Sequence, residues 1–240
     1  MFTISAIAAA LSLALSGTPA PPDCPPAAAR QRGGGPTAPF AGGARYARIN
    51  GICIYYEIHG AGPPLLLLHG GTASGEAFAG QLPALARQFR VIVPDLRGHG
   101  RTSDAPGPIS YALLTREVEA LLDELGVEDV AAIGWSMGGA IALHLALRRP
   151  SRLRCMILIA APFHRSGLDP EFRARIGSIR PEEWSEEARR FYEASAPDPT
   201  NWAPSSRRSA LWSFASRKFR PPSCKRSASP PLLCSATATP

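Results

Sequence analysis

Acidic residues are missing from the last part of this sequence. Between Pro204 and Pro240 there is no Asp or Glu, against nine serines and seven cations. That absence locates the formal net charge of +7. Arg207, Arg208, Arg217, Lys218, Arg220, Lys225 and Arg226 supply the whole excess, and the remaining 19 basic residues balance the 19 acidic ones. The body of the chain is therefore neutral and carries no signature of a polyanionic partner. The tail itself lacks aromatic stacking periodicity and an amphipathic helix, which argues against a nucleic-acid or membrane anchor. Cysteine is scarce too. Five residues (Cys24, Cys53, Cys155, Cys224, Cys234) show no metal-ligand spacing, and their odd number argues against a complete disulfide framework. Cys53 and Cys155 lie in apolar strand-like runs and read as core residues.

Long apolar runs are equally rare. Phe2 to Ser16 is the one stretch of leader length, followed by Thr18-Pro19-Ala20 but preceded by no Lys or Arg. Residues 1–20 are accordingly a possible signal peptide directing the chain outside the cytoplasm, secreted or periplasmic. The alternative is an upstream extension from a wrongly chosen start codon on a cytoplasmic protein. No other stretch approaches transmembrane length, so stable membrane insertion after signal removal is not expected. Residues 21–43 are rich in Pro, Ala and Gly without hydrophobic periodicity and read as a flexible linker.

Regular patterning begins after the linker, in a chain of 240 residues long enough for one sizeable α/β domain. Two strand-like runs, Arg45 to Asn50 and Ile52 to His59, flank Asn50-Gly51, a strong hairpin signal. Leu65 to Leu68 is continuously apolar, as in a strand buried on both faces. A helix is predicted over Glu76 to Gln88, a strand over Val91 to Val93 and an amphipathic helix over Tyr111 to Leu125, ending at Gly126. Asp129 to Ile133 reads as another buried strand, Ala140 to Leu147 as a helix closed by Pro150, and Met156 to Ala160 as a last buried strand. This alternation implies an α/β fold with a mostly parallel, doubly wound sheet.

Between the strand and the helix that surround it stands Gly134-Trp135-Ser136-Met137-Gly138-Gly139. A serine held at strained positive φ on so sharp a turn leaves no room for side chains two positions to either side, which Gly134 and Gly138 satisfy. The helix starting after Ser136 would aim free backbone N–H groups at an oxyanion formed there. In a parallel sheet the ligand site lies beyond the carboxyl ends of the strands. Two more glycine-marked loops fall on that edge, His69-Gly70-Gly71-Thr72 and Asp95-Leu96-Arg97-Gly98-His99-Gly100-Arg101-Thr102.

With these three loops the chain resembles the α/β-hydrolases, in the serine esterase and peptidase branch that carries a helical cap, over roughly Ala44 to Trp202. The resemblance implies Ser136 as nucleophile and the backbone N–H groups of Met137 and Gly71 as the oxyanion hole. It implies supporting roles for His69, Gly70, Asp95, Gly98, His99, Gly134 and Gly138, and no metal or cofactor. Serine at the elbow also separates the chain from dehalogenase and epoxide hydrolase relatives, which place Asp there. It divides the sequence into an N-terminal hydrolase core at 44–162, a helical cap segment at 163–203 and the basic tail at 204–240.

A serine hydrolase needs a base and an acid, and the family supplies them after the nucleophile, in the order Ser, Asp or Glu, His. Neither is identified here: His69 and His99 match structural loop positions, His144 reads as packing, His59 ends a strand and His164 opens the cap. The tail is either a genuine disordered segment or the product of a displaced reading frame beginning near Trp202. Codons compatible with Pro222 to Pro231, read one base out of step, can encode Glu-Leu-Gln-Ala-Ile-Arg-Val-Pro-Thr, and those for Cys234 to Thr239 can encode Leu-Gly-Asp-Arg-Asp. Both strings resemble the family's approach to its acid-bearing turn, so the other frame is expected to encode that turn and a later His.

The polypeptide as written is thus expected to lack the last strands and helices. Its sheet would end on an open edge at Met156-Ile157-Leu158-Ile159, with self-association through that edge. The implied activity is hydrolysis of small carboxylic esters or related acyl compounds through an acyl-enzyme, impaired in this chain. The alternative is a non-catalytic hydrolase-fold binding protein or an inactive fragment.

Overall fold

In the computed structural model the described residues are 24–25, 43–161, 167–175, 178–202 and 234–236. The leader, most of the linker, His164 and the tail up to residue 233 lie outside them. The hairpin opens the fold: β1 (Ala44–Ile49) pairs antiparallel with β2 (Ile52–His59). Asn50 and Gly51 turn the chain at φ 50° and 77°, the left-handed pair that a two-residue turn between twisted strands requires. β3 (Pro64–Leu68), β4 (Arg90–Pro94), β5 (Val130–Trp135) and β6 (Leu153–Ile159) follow as parallel neighbours. The sheet runs β1-β2-β4-β3-β5-β6-β7, with β2 antiparallel to β4.

Helices cover both faces, as the unbroken apolar runs of β3 and β4 require. On one face α2 (Tyr111–Glu124) and α3 (Met137–Arg148) bury Leu114, Val118, Leu122, Ile141 and Leu145 against Leu66, Leu68, Ile92 and Ala132. On the other, Phe78 and Leu82 cover Leu65, Leu67, Val91 and Val93. α2 starts at Ser110, whose hydroxyl accepts from Leu113 N–H, and stops before Gly126 at φ 63°. A bidentate pair from Arg148 Nε and Nη2 to Glu119, at 2.8 and 3.0 Å, joins the two helices. Beyond β6 come the short α4 (Pro170–Arg175) and the charged α5 (Glu186–Ser195), whose Tyr192 forms a separate apolar cluster with Ala196 and Trp202.

Three expectations change. The helix expected over Glu76 to Gln88 is a 3-10 turn at Gly75–Phe78 followed by α1 (Leu82–Leu85). Gly80 and Pro83 explain the interruption, because one destabilises a continuous helix and the other lacks the N–H to extend it. Cys53 is buried as expected, but it is also disulfide-bonded to Cys24, Cα to Cα 5.4 Å. The segment read as a flexible linker is therefore tied to β2 at Cys24, while Cys155 remains free and half-buried. Lastly, β6 is only partly an open edge. β7 (Cys234–Ala236), within the tail read as disordered, pairs parallel with Ile157 to Ile159. Three ladder positions cover the carboxyl half of the edge, while Leu153 to Met156 have no strand partner on that side among the described residues.

Candidate active site

Because β4, β3 and β5 are consecutive in the sheet, the loops that leave their carboxyl ends emerge side by side. Ser136 follows β5 and caps α3 at φ 50° and ψ −111°. A non-glycine residue there is strained by roughly 1–3 kcal/mol, which the surroundings must over-determine. They do so through the neighbouring backbone. Ser136 N–H donates to Ile159 C=O at 2.8 Å, and Ser136 C=O accepts from Gly139 and Ala140 N–H at 3.1 and 3.2 Å.

The glycines around Ser136 are required by close approach. A Cβ on Gly134 would lie 2.5 Å from Gly138 O, one on Gly138 2.0 Å from Leu68 O, and one on Gly139 2.3 Å from Ala161 Cβ. Gly138 thus seats the start of α3 directly on the end of β3, and Gly139 seats it on the chain leaving β6. Met137 is the first residue of α3, so its N–H is one of the unsatisfied donors at a helix N-terminus. Gly139 was missed as a site-forming residue in the sequence, since the motif demands glycine only at the two flanking positions.

The loop after β3 holds His69, Gly70 and Gly71. His69 is fully buried. Leu96 N–H donates to its Nε2 at 2.9 Å, so Nδ1 carries the proton and donates to Gly70 O at 2.7 Å. Burial, with a smaller contribution from neighbouring His99, pushes its pKa down to about 3. Its two ring nitrogens lock the loop after β3 to the loop after β4. His99 is buried beside it, ring centroids 5.4 Å apart, with Nδ1 2.8 Å from Arg97 O. Burial lowers its pKa as well, against the bond to Arg97.

Asp95 is the hinge between these loops. Its carboxylate accepts from Gly75 N–H at 2.7 Å and Arg101 N–H at 2.8 Å, with the Arg101 guanidinium 3.5 Å away. Burial pushes its pKa up to about 6 in spite of those donors. Thr102 hydroxyl donates to Asp95 O and accepts from Tyr55 N–H, fastening the loop to β2. Gly98 turns the same loop at φ 67°. Arg97 reaches α2 through a buried pair with Glu117, Nε to Oε1 2.8 Å.

These buried groups set opposing pH dependences. Depressed imidazole pKa values mean the unfolded chain binds protons first, so the stability contributed by His69 and His99 is lost as pH falls below about 6.5. Asp95 acts oppositely: its raised pKa adds stability as pH falls from about 6 toward its ordinary value. Asp95→Asn removes that offset. Between pH 6 and 5 its unfolding free energy should fall about 1 kcal/mol further than the parent's, one unit of protonation being about 1.4 kcal/mol. Urea melts across this range measure it, and equal slopes for the two proteins would refute the assignment.

No hydrogen bond joins Ser136 to a histidine among the described residues. His59 pairs with Glu57 at 2.7 Å, opposite the amino-terminal part of β4. His144 stacks on Tyr111 and lies eight positions from Ser136, about 12 Å of helix axis. No cluster of His, Cys, Asp and Glu that could hold a metal occurs among the described residues. No described helix is long and apolar enough to cross a membrane.

A family model described as the alpha/beta hydrolase fold matches residues 63–220. The chain is 40% identical over 112 residues to a pimeloyl-[acyl-carrier protein] methyl ester esterase of Aeromonas hydrophila, covering 46% of this chain and 42% of that protein. It is 39% identical over 100 residues to a soluble epoxide hydrolase of a Corynebacterium species, covering 42% of this chain and 35% of that protein. The chain thus spans less than half the length of either relative. A crystal structure of a hydrolase from Pseudomonas aeruginosa superposes with a TM-score of 0.56 at 28% identity, covering 72% of this chain and 74% of that one.

Proposed function

For a chain that belongs to the α/β-hydrolase fold family, we propose serine-dependent hydrolysis of small carboxylic esters or related acyl compounds. The observation that carries this reading is Ser136, held at φ 50° at the head of α3 beside the loop of Gly70 and Gly71. Its hydroxyl attacks the acyl carbon, the leaving alcohol departs with a proton, and water cleaves the acyl-enzyme. Met137 and Gly71 N–H groups hold the tetrahedral oxyanion, a contribution of about 3–4 kcal/mol per donor in related chemistry. An ester substrate is supported by the methyl ester esterase among the relatives.

Turnover by this chain is proposed to be weak, since no described histidine is bonded to Ser136. Loss of the base alone lowers kcat on the order of a millionfold in a serine protease, leaving what binding and the oxyanion hole provide. The same observation favours a second reading, a hydrolase-fold protein that binds without turning over. Covalent labelling by a fluorophosphonate, with the adduct mapped by mass spectrometry, separates the two. Modification of Ser136 is expected, at a rate slowed by the missing base; folded protein that stays unlabelled on long exposure would leave the binding reading.

Export from the cytoplasm is part of the proposal, supported by the Cys24–Cys53 bond, because disulfides persist in oxidising compartments. Peptide mapping of the unreduced, exported protein should return that pair with Cys155 free. Recovery of both Cys24 and Cys53 as thiols would count against it.

A further inference from the structure

We infer that Trp135 is a positioning residue whose indole sets the height of the Gly70–Gly71 loop above Ser136, and with it the Gly71 N–H. The inference rests on the hydrolase reading for its chemical meaning, but the contact stands by itself. A Cβ built on Gly70 would lie 2.9, 3.1 and 3.2 Å from Trp135 Cε3, Cζ3 and Cδ2. All three nearest atoms belong to the indole, so the aromatic ring lies against the bare Gly70 backbone. Any other residue at position 70 would push the ring away.

Such support is needed because of what the loop otherwise has. His69 anchors its start from the β4 side, through Leu96 N–H and Gly70 O. Asp95 anchors its end at Gly75 N–H. Between these anchors Thr72 sits at φ 58°, its hydroxyl donating to Gly71 O at 2.7 Å. A β-branched residue in the left-handed region does not hold that shape unaided. Trp135 is the contact from the elbow side, one residue before Ser136, and it pairs in register with Ile159, whose carbonyl fixes Ser136 N–H. One side chain therefore links the loop bearing one oxyanion donor to the backbone bearing the other.

The indole's location also distinguishes it from a core residue. It is 37% exposed, yet most of the ring is still covered, so Trp135→Ala lowers global stability as well and the positioning role is read from changes concentrated in the loop. A positioning role predicts changes in exchange and reactivity concentrated in the loop, beyond the uniform rise that lower global stability gives.

The test compares Trp135→Ala, Trp135→Phe and Gly70→Ala with the parent. Amide exchange over residues 69–75 should rise about tenfold in Trp135→Ala, local opening being governed by the few contacts that hold a loop. Labelling of Ser136 by a fluorophosphonate should slow tenfold to about a hundredfold in Trp135→Ala and Gly70→Ala, the scale of a sub-ångström to 1 Å misplacement. Trp135→Phe, which keeps a ring over Gly70, should restore both to within a few fold. Unchanged exchange in Trp135→Ala, or Phe behaving like Ala, would overturn the inference. If the parent is not labelled at all, the hydrolase reading fails, and the exchange comparison decides the role of Trp135 alone.

Discussion

Gly138→Ala should yield little or no folded protein. The added methyl would stand 2.0 Å from the carbonyl oxygen of Leu68 and 2.4 Å from its carbonyl carbon. Those atoms cannot swing away as a side chain would. Leu68 closes β3, the strand between β4 and β5, and is paired with Gly134 in the ladder. Relief would require lifting α3 from the sheet, and with it Ile141 and Leu145 from the main core. Overpacking that can relax costs about 1–3 kcal/mol, and this site has no soft direction. A loss above about 4 kcal/mol would take most of a typical domain's 5–15 kcal/mol. Gly80→Ala is the control, because nothing lies within 4 Å of its Cβ position; it should be neutral or mildly stabilising. Thermal melts of the soluble fraction decide, and a Gly138→Ala protein that melts within a few degrees of the parent would refute the argument.

Ser136→Ala should abolish fluorophosphonate labelling while leaving the fold intact. Alanine keeps the Cβ and can occupy the same strained backbone, since that conformation is imposed by bonds from main-chain atoms: Ser136 N–H to Ile159 O, and Gly139 and Ala140 N–H to Ser136 O. No described partner depends on the hydroxyl itself. The melting temperature should therefore move by no more than a few degrees, while the labelled fraction falls to background. Labelling that persists in the variant would place the reactive group elsewhere and remove the central support for the proposed chemistry. The contrast with Gly138 is informative: of two residues in one tight turn, one is expected to matter for folding and the other for the proposed reaction.

Much of the site was legible because its demands are local. Asn50-Gly51 can only turn one way, Leu65 to Leu68 can only be buried on two faces, and Gly134 to Gly138 around a serine announces a crowded turn. Spacing also placed three loops on the carboxyl edge of a parallel sheet, and those loops do emerge from adjacent strands. Missed features are the long-range ones. Nothing near Gly139 in sequence reveals Ala161 against it, nothing near Gly70 reveals the indole of Trp135, and Asp95 gives no hint of its bond to Gly75, twenty residues earlier. The Cys24–Cys53 bond spans 29 residues and was hidden by the odd cysteine count. The long helix expected over Glu76 to Gln88 failed for a local reason, the weight of Gly80 and Pro83 against the surrounding apolar pattern.

Taken by itself, then, the amino-acid sequence determined the order of the strands through β6 and of the two long core helices, the family, and the position of the candidate nucleophile. The order follows from hydrophobic period, the place of Ser136 from backbone conformations that few residues tolerate, and the family from the resemblance of the three glycine-marked loops. Tertiary structure alone decided how the pieces are held: His69 as a neutral bridge between two loops, Asp95 as a buried clasp, Trp135 against Gly70, and β7 along the edge of β6. The physical reason is distance. Burial and close approach arise between residues that only the folded sheet brings together, and it is burial that lowers the pKa of His69 and raises that of Asp95.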